Sequence, residues 1–133
     1  MIISTLYSNA SSAPDFDGEG WHDFKPKEVE CRHCHEVLIH TQSMDCLQAL
    51  RTKMGRPLVI NSGYRCPEHN NAVGGSPNSL HKLGRAFDIS TRGWSDSDIN
   101  KLTGKANVVG FGGIGTYTTF VHVDTGPVRD WVG

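Results

Sequence analysis

Two histidines and one aspartate carry the chemistry most readily read from this chain. The stretch Ser79-Leu80-His81-Lys82-Leu83-Gly84-Arg85-Ala86-Phe87-Asp88 sets an imidazole and a carboxylate on either side of a glycine turn. A third candidate ligand, His122, returns in the strand-like run Phe120-Val121-His122-Val123-Asp124. Catalytic zinc sites are typically built from three ligands of the His, Asp and Glu kind, with the fourth position left to water or substrate. A closed structural site wants a fourth protein ligand, usually a thiolate, and neither segment contains one. His81, Asp88 and His122 therefore read as an open, working zinc site.

Other residues with chemistry to offer lie around these three. Arg65 follows the run Pro57-Leu58-Val59-Ile60-Asn61-Ser62 at a strand end; a guanidinium there makes a surface ion pair or faces a developing oxyanion. Strand alternation puts Phe120, His122 and Asp124 on one face, with the Cα atoms of His122 and Asp124 roughly 7 Å apart. Asp124 thus looks into the same space as His122, either to act there or as a structural carboxylate paired with Arg129 or the end of the strand. Cys31-Arg32-His33-Cys34-His35 is a CxxC with adjacent histidines, and Cys46 and Cys66 follow. Four cysteines of this kind allow a second, structural zinc, a disulfide or buried free thiols, although the partners lack the spacing of a second CxxC or HxxxH. His33 and His35 read as surface decoration or second-site residues.

The elements that must position these groups follow from pattern. Thr41 to Met54 is helical, with Met44, Leu47, Leu50 and Met54 near one face, Thr41 or Ser43 as cap, and Gly55 and Pro57 ending it. Pro57 to Ser62 reads as a buried strand, Pro67 to Ala72 as one or two helical turns, and Val73 to Asn78 as loop. Arg85 to Ser90 reads as a strand with Phe87 and Ile89 in the core and Asp88 on the opposite face. Ser95-Asp96-Ser97-Asp98 opens a short helix to about Lys105. Three short strands then follow, Asn107 to Phe111, Gly113 to Tyr117 and Thr119 to Asp124, and Arg129 and Trp131 close the domain. The fold class is α+β, a small antiparallel sheet flanked by two or three helices. Residues 1–20, rich in Ser, Pro, Asp and Gly from Ser8 onward, read as an irregular lead-in to a single domain over 21–133.

Composition sets the outer bounds. At 133 residues, with 37% hydrophobic and 20% charged residues, the chain is an ordinary globular domain expected to act as a monomer, and no apolar run reaches membrane-span length. A formal net charge of −1 gives no basic field for a phosphate backbone, so nucleic acid is not an expected partner. Met1 to Ser12 lacks the basic and apolar regions of a secretory signal, which implies synthesis in the cytoplasm.

With these residues in view, the chain resembles the zinc D-Ala-D-Ala peptidase family. That family includes D,D-carboxypeptidases, the vancomycin-resistance dipeptidase and phage L-alanyl-D-glutamate endopeptidases, and shares its fold with the hedgehog signalling domain. The resemblance runs from about Phe24 to Trp131. It rests on Ser62-Gly63-Tyr64-Arg65, on Ser79-x-His81-x-x-Gly84-x-Ala86-x-Asp88 and on Val121-His122-Val123-Asp124. It implies that His81, Asp88 and His122 bind zinc, that Arg65 and Ser79 hold the scissile carbonyl or its oxyanion, and that Gly84 and Ala86 keep the metal side uncrowded.

One departure matters. Many members place a Glu or Asp three residues before the last ligand as general base, and others a His two before it; here those positions are Thr119 and Phe120. Metal-assisted hydrolysis still needs a proton acceptor, for which Asp124 is the first candidate and His69 the second. The expected activity is zinc-dependent hydrolysis of a peptide bond in peptidoglycan stem peptides, as a D-Ala-D-Ala carboxypeptidase or an L-Ala-D-Glu endopeptidase. Arg85 or Arg129 would receive a terminal carboxylate in the first case. The alternative is a zinc-binding but inactive cell-wall or partner-binding module of the same fold. A phage lysis or virion enzyme acting on the cell wall would suit a stand-alone domain.

Overall fold

The computed structural model describes residues 3–133. Strand β1 (Ser4–Tyr7) pairs antiparallel with β2 (Val37–His40) in a small two-stranded sheet. Helix α1 (Thr41–Met54) leads into β3 (Ile60–Ser62), helix α2 (Pro67–Ala72), a 3-10 turn at Leu80–Leu83 and β4 (Ala86–Ser90). Helix α3 (Asp96–Val109), β5 (Gly113–Thr116), β6 (Phe120–Asp124) and β7 (Arg129–Val132) complete the chain. The main sheet has the order β3-β4-β6-β5-β7. It is antiparallel except at its edge, where β5 and β7 run parallel, so the expected all-antiparallel sheet is mixed.

The two sheet faces divide the labour. Phe87 and Ile89 of β4 and Val121 and Val123 of β6 are buried against Met44, Leu47 and Leu50 of α1 and Leu102 and Ala106 of α3. Period-two alternation then turns Asp88 and His122 to the other face, where they sit opposite each other in register. No described helix is long and apolar enough to cross a membrane.

Local chemistry sets the helix ends. Gly55, left-handed at φ 66°, caps α1 by donating its N–H to Arg51. At the other end the cap is His40, not Thr41 or Ser43: the His40 Nδ1 accepts from the Ser43 N–H at 3.3 Å. Ser43 is unavailable because its hydroxyl is shared between His40 (2.7 Å) and Thr125 (2.8 Å). Ser95 caps α3 as expected. The helix does not stop near Lys105, however, and there is no strand at Asn107 to Phe111. Leu102 and Ala106, one turn apart and both fully buried, carry the helical face onward until Gly110, left-handed at φ 115°, ends it. The β-branched Val108 and Val109 imitate a strand in sequence, yet Val108 is 71% exposed. The strand expected from Pro57 is confined to Ile60–Ser62, with an irregular register against β4.

The lead-in is also more ordered than its composition implies; its first two residues lie outside those described. Beyond β1, Phe16 is 1% exposed and meets Trp21 edge-on, ring centroids 5.1 Å apart. Phe16, with Ala10 and Ala13 packed against the same core, anchors there a segment that is otherwise polar and largely exposed. Gly84, left-handed at φ 68°, closes the 3-10 turn, and a Cβ there would stand 2.5 Å from the Leu38 carbonyl of β2. Its smallness therefore serves the packing of the turn on β2 rather than room beside the ligands. Phe16→Ala is expected to destabilise the chain by about 3–5 kcal/mol, read as a lower urea midpoint; an unchanged midpoint would mean the lead-in is not part of the core.

Candidate functional site

His81 is delivered by the 3-10 turn that Ser79 caps, the Ser79 hydroxyl accepting the His81 N–H at 3.3 Å. Its Nδ1 lies 2.7 Å from the Gly63 carbonyl at the end of β3. A carbonyl only accepts, so Nδ1 carries the proton and Nε2 is left with a lone pair. That Nε2 points at Asp88 Oδ1, 3.2 Å away.

His122 is arranged the same way from the opposite side. Its Nε2 lies 2.7 Å from Asp124 Oδ2 and its Nδ1 lies 2.9 Å from Asp88 Oδ1. Asp124 is fully buried, and Arg129 grips both of its oxygens at 2.9 and 2.8 Å while the Gly126 N–H binds Oδ1 at 2.9 Å. An ionised Asp124 makes Nε2 the donor, so the lone pair of Nδ1 faces inward. One ligand atom from each of His81, Asp88 and His122 thus falls within 4.8 Å of the others.

Two imidazole lone pairs and a carboxylate oxygen aimed at one point repel unless a cation or protons lie between them. The donor set, two imidazoles and one carboxylate, is that of an open zinc site, and each imidazole already has the outer hydrogen bond that orients such ligands. The residues fit the metal.

In the metal-free chain a proton on an inward nitrogen plays the cation's part. Burial would raise the Asp88 carboxyl, but hydrogen bonds from His122 and His81 outweigh it and hold the group well below the usual carboxylate range. Asp124 is likewise depressed: burial opposes, and His122, Arg129 and the Gly126 N–H prevail. For His122 burial favours the neutral ring, while the carboxylates of Asp124 and Asp88 raise its pKa above the ordinary imidazole value.

The triad opens into a cleft of about 580 Å3, lined also by the loop 73–76, Ser79, Tyr117, Phe120, Arg129 and Trp131. Arg65 lines it too, held by Ser62 (3.2 Å), Asn70 (3.0 Å) and the second oxygen of Asp88 (3.3 Å). Other candidates fall elsewhere. His69 on α2 is not among the cleft residues; its ring stacks on His33, centroids 6.1 Å apart. Arg85 is likewise outside the cleft, its guanidinium bonded to the Thr125 hydroxyl and carbonyl. Neither lines the cleft that holds the triad. Cys31, Cys34 and Cys66 gather in one cluster, whereas Cys46 is buried in the main core on α1 and does not join them.

Sequence reading passed over two glycines that make this arrangement fit. In register, Gly113 of β5 stands between Asp124 of β6 and Arg129 of β7, and Gly115 stands between His122 and Trp131. A Cβ on Gly113 would meet the Arg129 guanidinium at 2.2 Å and Asp124 at 2.3 Å; one on Gly115 would meet the Trp131 ring at 2.4 Å. The Gly-x-Gly spacing of two, which puts both on one strand face, was the available signal. It lets Arg129 reach across β5 to Asp124 and lets Trp131 lie 5.4 Å from the His122 ring. Gly63, which holds His81, stands in the Ser62-Gly63-Tyr64-Arg65 motif, whereas Asn70, which holds Arg65, carried no signal outside the fold.

The metal-free chain should show these couplings as a pH dependence. Depressed carboxylates contribute stability that is present above the unfolded value near 4 and lost as pH falls through the folded ones. His122, raised, contributes fully below about 6.5 and loses its share as pH rises through the folded value. The urea midpoint of chelated protein should therefore fall on both sides of a mildly acidic maximum, and zinc should flatten the alkaline limb by taking the place of the proton. A limb that zinc leaves unchanged would separate His122 from the metal.

Comparisons with known proteins agree with this geometry. Residues 22–124 match the family described as Peptidase M15. The peptidoglycan L,D-endopeptidase MepK of Escherichia coli K12 is 36% identical over 153 aligned positions, covering 98% of this chain and 79% of that protein. A probable peptidoglycan L,D-endopeptidase MepK of Haemophilus influenzae is 38% identical over 83 residues, 57% of this chain and 43% of its own. The zinc D-Ala-D-Ala carboxypeptidase of Streptomyces albus G is 46% identical over 44 residues, 32% of this chain and 17% of that one. An inward-facing His/Asp/His set on a mixed α+β fold and a match over most of the length lead to one assignment: the chain belongs to the peptidase M15 family.

Proposed function

We propose that this protein is a zinc-dependent endopeptidase of peptidoglycan stem peptides, acting at a bond between an L- and a D-configured residue. The observation that carries the choice of endopeptidase is the state of the arginines. A carboxypeptidase needs a guanidinium fork free to receive a terminal carboxylate. Arg85 is bonded to Thr125 outside the cleft, and Arg129 closes both prongs of its fork on the two oxygens of Asp124, so neither offers a bidentate seat to a second carboxylate. The relatives matched over the greater length, whose names read L,D-endopeptidase, support the same choice.

His81, Asp88 and His122 would hold the ion. Zinc, when bound, supplies a Lewis acid that polarises a carbonyl and brings the pKa of water to about 7. Arg65 keeps a planar cation at the rim of the triad, where it faces the oxygen on which negative charge develops. Ser79 fixes the turn that presents His81, and Gly63 fixes the His81 tautomer. Asp124 accepts from the His122 ring and is itself saturated by Arg129 and Gly126. Its place is to orient His122 and sharpen its basicity as a ligand, rather than to take a proton from the reaction. The two aspartates offset the two arginines, so zinc leaves the cleft with a net positive charge, suited to the carboxylates of stem peptides.

The deciding experiment is mass spectrometry of peptidoglycan fragments incubated with the protein, with and without a zinc chelator. A chelator-sensitive internal cut at an L,D bond is expected. Loss of a terminal D-Ala would instead make it a carboxypeptidase, and intact fragments beside zinc-loaded protein would leave a binding module. Asp124→Asn tests the orienting role separately: about a 10- to 100-fold loss in zinc affinity or activity, with the acid limb of the pH profile in place. Disappearance of that limb at unchanged zinc affinity would restore Asp124 as the proton acceptor.

A further inference from the structure

The cysteine cluster lies outside the cleft and plays no part in the chemistry above. Cys31 and Cys34 belong to a tight turn in which the His35 N–H binds the Cys31 carbonyl at 3.0 Å and the Cys31 N–H binds the Glu36 carbonyl at 2.8 Å. His35, following the second cysteine, is left-handed at φ 62°, the one non-glycine residue among those described with a positive φ. Such a conformation is uncommon outside Gly, and Asn, Asp and His are the side chains that adopt it most readily. The third thiol comes from Cys66, 35 residues after Cys31, whose own N–H points at Cys31 Sγ at 3.4 Å. His69 in turn donates its N–H to Cys66 Sγ at 3.4 Å.

The three sulfurs lie within 4.8 Å of one another and none is in a disulfide. Thiolates sharing a tetrahedral zinc at about 2.3 Å stand about 3.8 Å apart, so the cluster is close to a ligand set as it is. His33 Nδ1 lies 3.7 Å from Cys66 Sγ and offers a nitrogen as fourth donor. Cys31 is fully buried and Cys66 is 7% exposed, with Tyr64 packed on both. A pair of N–H groups directed at sulfur suits thiolates better than thiols.

We propose that Cys31, Cys34 and Cys66 bind a second, structural zinc ion, with His33 completing a closed tetrahedron and Cys46 excluded. The ion would join the Cys31–Cys34 turn to the residue that follows Arg65 and caps α2. Asn70 on α2 also holds the Arg65 guanidinium, so the staple would fix both ends of the segment carrying the cleft cation.

Cobalt(II) loading of the full, reduced chain tests this apart from activity and apart from the catalytic reading. The His/Asp/His set has no sulfur, so thiolate-to-cobalt charge-transfer absorption in the near ultraviolet reports the cysteine site alone. Two metal equivalents with that absorption are expected. His81→Ala should keep one equivalent and the band, Cys46→Ser should keep both, and Cys31→Ser with Cys34→Ser should lose the band. The proposal is overturned if the reduced wild-type chain shows no such band, or binds one equivalent that His81→Ala abolishes. It is equally overturned if Cys66 is recovered in a disulfide with Cys31 or Cys34 from protein purified without reductant at one metal equivalent.

Discussion

Two imidazole nitrogens and a carboxylate oxygen are held nose to nose on one sheet face, and the order of the whole fold follows from keeping them there. The convergence on Asp88 needs a cation or a proton between its atoms, because each inward atom otherwise offers electron density. It persists because the outer nitrogen of each ring is satisfied elsewhere: His81 by the Gly63 carbonyl, His122 by Asp124. These partners come from different elements, the end of β3 and the end of β6. Direct pairing of β4 with β6 sets Asp88 opposite His122. A cation then turns three repulsions into three bonds, and the surrounding hydrogen bonds need not rearrange to receive it.

The edge of the sheet shows how far the support extends. β7 pairs parallel with β5, because the intervening β6 reverses the chain between them. It brings Arg129 and Trp131 alongside the glycine positions of β5, across which they reach the β6 residues Asp124 and His122. Glycine weakens a strand, having no side chain to pack and more backbone freedom to lose. Here two of them in four residues make room for an ion pair and an indole whose Nε1 binds the Tyr117 hydroxyl at 2.8 Å. Local strand stability is exchanged for a rigid wall beside His122.

What could be read in advance divides along physical lines. Periodicity reports which face a side chain takes, and it was enough to put Phe87, Ile89, Val121 and Val123 in the core and to bring Asp88 and His122 into one space. It also delimited α1, where the apolar spacing and Gly55 agree. Periodicity does not report what arrives from a distant strand. Asp124 does share a face with His122, and its capacity is taken up by Arg129 of β7; the sequence offers that pairing and the proton-accepting role alike, and spacing alone does not choose between them. Arg85 sits beside Ala86 in the motif but turns to Thr125 across the β4–β6 pair. The burial of Phe16 and the run of α3 past Lys105 were hidden for another reason: composition and β-branched residues are weak local signals that tertiary contact overrides.

Arg65 joins these threads. A cation worth having at a developing oxyanion must be in place before charge appears, since reorienting it during the reaction would use up the advantage. Three separate partners hold its fork: the Ser62 hydroxyl on Nε, the Asn70 amide oxygen on one terminal nitrogen and Asp88 on the other. The Asp88 contact, at 3.3 Å, is the long one, and it ties the arginine to the carboxylate that also faces both histidines. Zinc and Arg65 would therefore share Asp88 through its two oxygens, each drawing charge from the same group. The carboxylate spaces the two cations and partly screens their repulsion, so a second positive centre can stand beside the first at the cleft rim. The neighbours of Arg65 are in turn fixed on one side by Tyr64, buried at 7% exposure, and on the other by Cys66. The His/Asp/His face and the cysteine face meet at this one residue, and its geometry is set from both.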